Sequence, residues 1–203
     1  MVSLEMGKEL IALARESILS YFEREEPAIP KKSYEKRGAF VTLKTYPGGE
    51  LRGCIGYPYP IKELYAAVSE CAVSSAFHDP RFPPLEKKGL DSVIVEVSVL
   101  TPPKPVTVKH PEEYLQKIIV GKHGLIAEFR GFSGLLLPQV PVEWNWDVKT
   151  FLEQTCIKAG LPPQMWLNPE ISFYSFEAEI FSEKKPNGEV VKVEGGENES
   201  KKD

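Results

Sequence analysis

The chain has 203 residues, 42% of them hydrophobic and 27% charged, a composition typical of a globular protein with one substantial core. Its net charge of −4 disfavours sequence-blind binding to nucleic acids, and it has no run of the roughly 18 apolar residues that a membrane-spanning helix needs. No signal peptide is visible and the three cysteines have no paired spacing, which together predict a reduced, cytoplasmic protein.

The first half of the chain predicts two helices and a hairpin. An apolar stripe predicts a helix over residues 3–22, and apolar alternation predicts a strand over residues 39–45. A turn then leads into a return strand that opens with Leu51-Arg52-Gly53-Cys54-Ile55-Gly56, called the hexad below. A second helix is predicted over residues 60–76, with a proline in its first turn. Residues 77–85 hold three prolines and predict a stiff loop.

The second half of the chain predicts more strands than helices. Its predicted elements are a strand over 92–100, a short helix over 111–116, a hairpin joining 118–120 to 125–127, a strand over 134–137, a helix capped by Asp147, and a last strand over 171–182. From Glu183 onward the composition predicts a flexible charged tail over residues 183–203. We therefore expect an α+β domain over residues 1–182, mostly antiparallel sheet with flanking helices.

The three cysteines differ in their surroundings, and Cys54 is the one that predicts a functional thiol. Cys71 and Cys156 fall on the apolar stripes of predicted helices, where cysteine behaves as a small hydrophobic residue. Cys54 follows a glycine and lies beside Arg52, and a nearby cation favours the reactive thiolate. The glycines of the hexad would let its backbone approach a ligand closely. The alternative is a strand cysteine beside a β-bulge.

A nucleophilic cysteine needs a base within hydrogen-bond reach, and the sequence offers His78, His110 and His123. We pair His78 with Cys54 as a hypothesis, because His78 lies in the proline-stiffened loop whereas the other two lie in polar loops. The alternative is that His78 packs or lies exposed while the neighbouring Asp79 caps a turn.

A cysteine–histidine pair also needs an orienting carboxylate or amide. Glu143 or Asp147 could supply the carboxylate, and we favour Glu143 because Trp144 and Trp146 could line a pocket that desolvates it, as expected of an acid or base. The alternative is that the tryptophans belong to the core and that Asp147 only caps the following helix.

Known metal and nucleotide motifs are missing from the sequence. There is no CxxC or HxxxH pair, so no metal site is predicted, although a mixed site of Cys54, His78 and a carboxylate is left open. There is also no GxGxxG or GxxxxGK motif, and no cofactor is identified. Arg52 and Arg81 instead suit the carboxylate or phosphate group of a small or peptide-borne substrate.

The hexad resembles the signature of the AMMECR family, which is named from a human X-linked syndrome region. Residues 77–85 are similar to the second shared segment of that family, residues 134–140 with Trp144 to a third, and residues 151–160 to a fourth. Together these segments span nearly the whole chain except the tail.

The resemblance implies an intracellular α+β domain with a larger sheet-bearing part, a smaller subdomain and a cleft near the hexad. It also implies an association with Memo-like and radical-SAM proteins, which prokaryotes often encode or fuse with members of the family. Abundant proline, lysine and glutamate predict a heat-adapted source, which fits an archaeal or other prokaryotic member. None of this fixes the reaction.

The sequence therefore leaves three classes of function open. The first is a cysteine-dependent enzyme or modification-pathway component, with Cys54, His78 and Glu143 as catalytic residues and Arg52, Gly53, Gly56, Arg81 and Trp144 binding the substrate. The second is a protein-interaction module, in which the hexad is a structural turn and Cys54 is buried and inert. The third, which the acidic charge opposes, is a nucleic-acid-associated factor in transcription, translation or repair.

Overall fold

A computed structural model describes residues 2–193 of the chain. They form an α+β structure with two antiparallel sheets, of five and four strands, which confirms the predicted fold class. The chain divides into two compact units; within the described residues the first comprises 2–100 and 179–193, and the second comprises 101–178. No helix in the described part of the chain is long and apolar enough to cross a membrane.

The elements follow one another in a mixed order of helices and strands. Three short 3-10 helices lie between them, at Lys87–Ser92, Pro111–Glu113 and Pro163–Leu167. The others, in chain order, are α1 (Leu4–Arg24), β1 (Ala39–Thr45), β2 (Leu51–Tyr57), α2 (Leu64–Phe77), β3 (Val93–Leu100), β4 (Lys104–Pro105), α3 (Tyr114–Lys117), β5 (Gly124–Phe129), β6 (Phe132–Leu136), α4 (Gln139–Glu143), α5 (Val148–Lys158), β7 (Ser172–Phe176), β8 (Ala178–Glu183) and β9 (Val190–Val193).

The first unit is built on the five-stranded sheet, in the order β2-β1-β3-β8-β9. Alternate side chains of β1 and β3, such as Val41 and Val95, point to one face and are fully buried with α1 and α2. Ser3 caps α1 by accepting a hydrogen bond from the backbone of Met6 at 3.2 Å. The hexad forms most of β2, and β2 is an edge strand because it stands first in this strand order.

A buried ion pair joins α1 to β8 inside the first unit. The guanidinium of Arg15 donates to both carboxylate oxygens of Glu183, at 2.6 and 2.7 Å, and also to two backbone carbonyls, one of them that of Val93. Glu183 in turn accepts a hydrogen bond from the backbone of Val95 at 2.8 Å. These bonds satisfy both charges, as a buried ion pair requires.

The start of the predicted flexible tail, at Glu183, is ordered in the structure. Glu183 is not the start of a flexible segment but the buried last residue of β8, and Val190–Val193 pairs with that strand as β9. A short valine-rich run is enough for a strand once a neighbouring backbone supplies the hydrogen bonds. The last part of the predicted tail, residues 194–203, lies outside the described residues.

The second unit is built on the four-stranded sheet, in the order β4-β7-β5-β6. Its core packs Phe151 and Cys156 of α5 against side chains of the sheet such as Leu125 and Phe173, all of which are at most 1% exposed. Asp147 caps α5 as predicted, accepting a hydrogen bond from the backbone of Thr150 at 2.7 Å.

Three predicted elements are corrected by the structure. The predicted hairpin through residues 121–124 is wrong: β5 instead turns at Arg130 and Gly131, which both have positive φ, into β6. The predicted strand 171–182 is two strands of different sheets, broken at Glu177. Helix α2 begins at Leu64 and not at Pro60, because residues 60–63 form a bend and an isolated bridge from Lys36 to Glu63.

Candidate functional site

Cys54 lies in the middle of the edge strand β2, directly opposite Thr42 of β1. The hydroxyl of Thr42 donates a hydrogen bond to the Cys54 sulfur at 3.3 Å. The thiol is half-buried, whereas Cys71 and Cys156 are 1% and 0% exposed. The structure thus confirms that Cys71 and Cys156 are core residues, and Cys54 is the cysteine that is not fully enclosed.

The glycines of the hexad are explained by close packing. A side chain at Gly53 would place its Cβ 2.1 Å from the carbonyl oxygen of Ser75 in α2, and one at Gly56 would place it 2.3 Å from the ring of Phe40. The hydroxyl of Ser75 also accepts a hydrogen bond from the backbone of Ile55 at 2.9 Å. The contacts of Gly53 and Ile55 with Ser75 pack β2 against α2, and the contact of Gly56 with Phe40 packs it against β1. A direct contact of either glycine with a substrate stays a prediction.

An ion pair from the loop after α2 closes the open edge of β2 at Cys54. One carboxylate oxygen of Asp79 accepts a hydrogen bond from the Cys54 backbone amide at 2.9 Å. Arg81 donates to the Cys54 carbonyl at 3.1 Å, and it is held by Asp79 through bonds of 2.9 and 2.7 Å. Asp79 and Arg81 thereby take the place of a neighbouring strand for this residue. The Asp79 side chain is only 2% exposed, and its bonds to Arg81 hold the pKa of its carboxyl well below the usual range.

The electrostatics around Cys54 favour the thiol over the thiolate. Burial is the main cause that raises the pKa of the Cys54 thiol above its ordinary value, and the carboxylates of Glu96 and Asp79 add to the rise. The Thr42 hydrogen bond and the charge of Arg81 lower this pKa, but by less. Cys54 is therefore protonated at neutral pH, and the cation that acts on its sulfur is Arg81.

A row of polar residues crosses the sheet beside the thiol, and two of its members, Thr42 and Glu96, were not predicted as site residues. Thr42 is paired with Cys54 on one side and with Glu96 of β3 on the other, so the three side chains share one face. Glu96 is 6% exposed and accepts a hydrogen bond from the Lys44 ammonium at 2.9 Å. The signal was present in β3, where Glu96 interrupts a run of alternating valines, but its strand partner could not be read from the sequence.

His78 lies at the end of α2, immediately before Asp79. Its ring is exposed, and its Nε2 is 3.3 Å from the hydroxyl of Tyr21 in α1, whose ring it meets edge-on. The residue next to it, Asp79, is the one that contacts Cys54. The pairing of His78 with Cys54 stays a prediction.

Arg52 is half-buried on β2, two residues before Cys54. Its Nη2 donates to the carbonyl of Pro83 at 2.7 Å, and the guanidinium carbon lies 5.9 Å from the centre of the Phe82 ring. The other terminal nitrogen, Nη1, is covered and has no hydrogen-bond partner among the described residues.

Glu143 and Trp144, the other two predicted site residues, belong to the second unit. Glu143 is the last residue of α4, and Trp144 caps that helix. Trp144 is 68% exposed and stacks on Trp146, with ring centres 6.3 Å apart, so it is not part of the core. The roles of Glu143 and Trp144 at Cys54 stay predictions.

Metal binding finds no support in the geometry of residues 2–193. Among them, no group of three histidine, cysteine, aspartate or glutamate side chains is placed to hold a metal ion. The mixed site that the sequence left open, with Cys54, His78 and a carboxylate, is therefore not assembled.

Comparison with known proteins identifies close relatives. The AMMECR1 family model matches residues 11–181. Protein MJ0810 of Methanocaldococcus jannaschii is 51% identical over 194 residues, which cover 94% of this chain and 96% of the relative, and protein MK0488 of Methanopyrus kandleri is 50% identical over 194 residues, covering 93% and 94%. The crystal structure of an uncharacterized protein, PH0010 from Pyrococcus horikoshii, has a TM-score of 0.89 and 48% identity, covering 95% of this chain and 98% of that one.

Proposed function

The chain belongs to the AMMECR1 family, and from the geometry of its edge strand we propose that it acts through a single reactive thiol, Cys54. The observation that carries the proposal is the contrast in exposure: Cys54 is half-buried on an edge strand, whereas the other two cysteines are enclosed in cores. The proposed class is a cysteine-dependent enzyme or a component of a modification pathway.

The proposed step is covalent transfer to sulfur. The Cys54 sulfur forms a bond to an electrophilic carbon of the substrate, the bond from that carbon to its leaving group breaks, and the leaving group takes the electron pair. The thiol proton goes to a base or to solvent. We propose His78 as that base, because it adjoins the residue that binds the Cys54 backbone.

The raised pKa of Cys54 sets a condition on this chemistry. A thiol that is protonated at neutral pH reacts slowly until a base or a bound cation favours the thiolate. The proposal therefore includes activation on substrate binding and does not require a highly reactive thiol in the free protein.

Alkylation of the folded protein tests the proposal. Iodoacetamide at mildly alkaline pH should add a single carbamidomethyl group to the parent, seen by intact mass, and none to Cys54→Ser. Cys71→Ser and Cys156→Ser are matched controls that should label like the parent, because those thiols are buried. Equal labelling of the parent and Cys54→Ser would refute the reactive-thiol proposal.

A second candidate, a protein-interaction module, is favoured by one observation. Trp144 exposes 68% of its surface although it is a large aromatic residue, and such residues are enriched at protein interfaces. The partners implied by the family resemblance are Memo-like and radical-SAM proteins. Sedimentation of the chain mixed with each protein from the same genome should show a complex that Trp144→Ala weakens. Phe132→Ala, which alters another exposed aromatic residue of the second unit, should leave it intact. Absence of a complex, or equal binding by Trp144→Ala, would reject this candidate.

A further inference from the structure

Arg52 stands apart from the other arginines in the described part of the chain. Arg24 is fully at the surface, at the end of α1. Arg52 is half-buried and has no carboxylate partner among the described residues. The remaining arginines are each paired with a carboxylate, as Arg15–Glu183, Arg37–Glu35, Arg81–Asp79 and Arg130–Glu170.

The contacts of Arg52 satisfy its charge only in part. Pro83 offers one carbonyl oxygen and Phe82 one ring face, and both residues are neutral. The Nη1 atom is covered and has no acceptor among the described residues. A half-buried guanidinium without a counter-charge is costly, so the charge of Arg52 favours an anionic partner from outside the chain. The acceptor that matches a guanidinium in charge and geometry is an oxyanion.

Arg81 provides the contrast that separates the roles of the two arginines. It binds both carboxylate oxygens of Asp79 and the carbonyl of Cys54, so its charge and its donors are already matched within the protein. Both guanidinium groups contact the same ring, with Arg81 5.5 Å and Arg52 5.9 Å from the centre of Phe82. The sequence predicted the same role for the two arginines, but Arg52 is the one without a carboxylate partner among the described residues.

We propose that Arg52 is the receptor for an oxyanion, a carboxylate or a phosphate, carried by the substrate that reacts at Cys54. Residues 52 and 54 are two positions apart on β2, roughly 7 Å along the strand. The pairing with β1 skips Arg52, because Leu43 lies opposite Gly53 and Lys44 opposite Leu51. An oxyanion on Arg52 would place a neighbouring carbon of the same small molecule beside the sulfur. This inference rests on the proposed function of Cys54.

A pair of alkylating reagents tests the inference. Iodoacetate and iodoacetamide react alike: sulfur bonds to the methylene carbon, iodide leaves with the electron pair of its bond, and the thiol proton passes to solvent. They differ in that iodoacetate carries a carboxylate where iodoacetamide carries a neutral amide. The rate constant for iodoacetate divided by that for iodoacetamide is measured at Cys54 and in the unfolded chain. The ratio at Cys54 should be roughly three to ten times the ratio in the unfolded chain.

The variants separate the oxyanion site from overall charge. Arg52→Gln should remove the preference for iodoacetate, and Arg52→Lys, which keeps the charge and loses the planar fork, should retain part of it. Arg130→Gln makes the same change in net charge at an exposed ion pair of the second unit and should behave like the parent. A parent ratio equal to that of the unfolded chain, or a preference that persists in Arg52→Gln, would overturn the inference.

Competition then identifies the oxyanion. At constant ionic strength, acetate or inorganic phosphate should slow the iodoacetate reaction, and the stronger competitor indicates whether the site prefers a carboxylate or a phosphate. If neither slows it, the inference is wrong while the proposed function stands. If neither reagent modifies Cys54 in the folded protein, the proposed function itself is wrong.

Discussion

One edge strand of each sheet, β2 in the first unit and β6 in the second, packs closely against a helix of its own unit. Each carries a glycine against the last turn of a helix: a Cβ at Gly53 would lie 2.1 Å from the oxygen of Ser75, and one at Gly134 would lie 2.2 Å from the nitrogen of Ala159. A residue with a side chain fits at neither position.

The difference lies in the residues beside each glycine. On β2 these are Arg52 and Cys54, a cation with no carboxylate partner among the described residues and a half-buried thiol, whereas on β6 they are Ser133 and Leu135. A glycine in close contact with a helix therefore marks strand–helix packing and does not by itself mark a site. What singles out the hexad is the chemistry of the two side chains around Gly53.

The largest effects should come from breaking the packing that the two strands share. Gly53→Ala and Gly134→Ala should each destabilise the protein by about 3 kcal/mol, because the atoms that must move are helix backbone. Urea unfolding measures the loss. Gly48→Ala, where the nearest atom is a threonine hydroxyl at 3.2 Å, is the control and should change stability little. If Gly53→Ala unfolds at the same urea concentration as the parent, the close contact with Ser75 does not explain this glycine, and its role is only functional.

A smaller loss should follow when the ion pair that closes β2 is removed. Asp79→Ala leaves the amide of Cys54 and the guanidinium of Arg81 without their acceptor and should cost about 2 kcal/mol in unfolding free energy. Arg130→Gln, which breaks an exposed pair in the second unit, should cost well under 1 kcal/mol. Equal costs would mean that Asp79 does not support the edge strand.

The pH dependence of stability isolates the Asp79 carboxyl. Its folded-state pKa is lowered, so its contribution is fully present above the unfolded value near 3.8 and is lost as pH falls below that value toward the folded pKa. The difference in unfolding free energy between the parent and Asp79→Asn should therefore be constant above about pH 5 and shrink in more acidic solution. A difference that stays constant through the acid range would show that Asp79 is not a charged partner.

The smallest effect should come from removing the hydrogen bond that the Thr42 hydroxyl donates to the Cys54 sulfur. Thr42→Val removes that donor from the thiolate, so the pKa of Cys54 should rise further and alkylation near neutral pH should slow by roughly threefold. The pH–rate profile with iodoacetamide measures both quantities. Thr45→Val, at the end of the same strand, is a matched control that should leave the profile unchanged. A profile of Thr42→Val that superimposes on the parent would exclude this hydrogen bond.

The sequence could predict what is written in local patterns. Alternating apolar residues predicted β1 with the ends that the structure shows, and Asp147 predicted the start of α5. The apolar stripes also identified Cys71 and Cys156 as core residues and left Cys54 as the thiol to consider.

The rest of the site depends on contacts between distant segments, which local patterns do not encode. Thr42 and Glu96 meet only through the register of β1 with β3, more than fifty residues apart in the chain. That Asp79 would bind the Cys54 amide, and that Arg81 but not Arg52 would be neutralised, follows from the path of a loop. Strand β9 was missed because three valines in a charged segment become a strand only when β8 lies alongside.

The most direct test is a crystal structure of the protein after reaction with iodoacetate. We expect carboxymethylation of Cys54, with the new carboxylate within hydrogen-bond distance of the Arg52 guanidinium, and with Cys71 and Cys156 unmodified. A carboxylate turned away from Arg52 into solvent, or a modification that falls on Cys71 or Cys156 while Cys54 stays free, would contradict the proposed oxyanion site at Cys54.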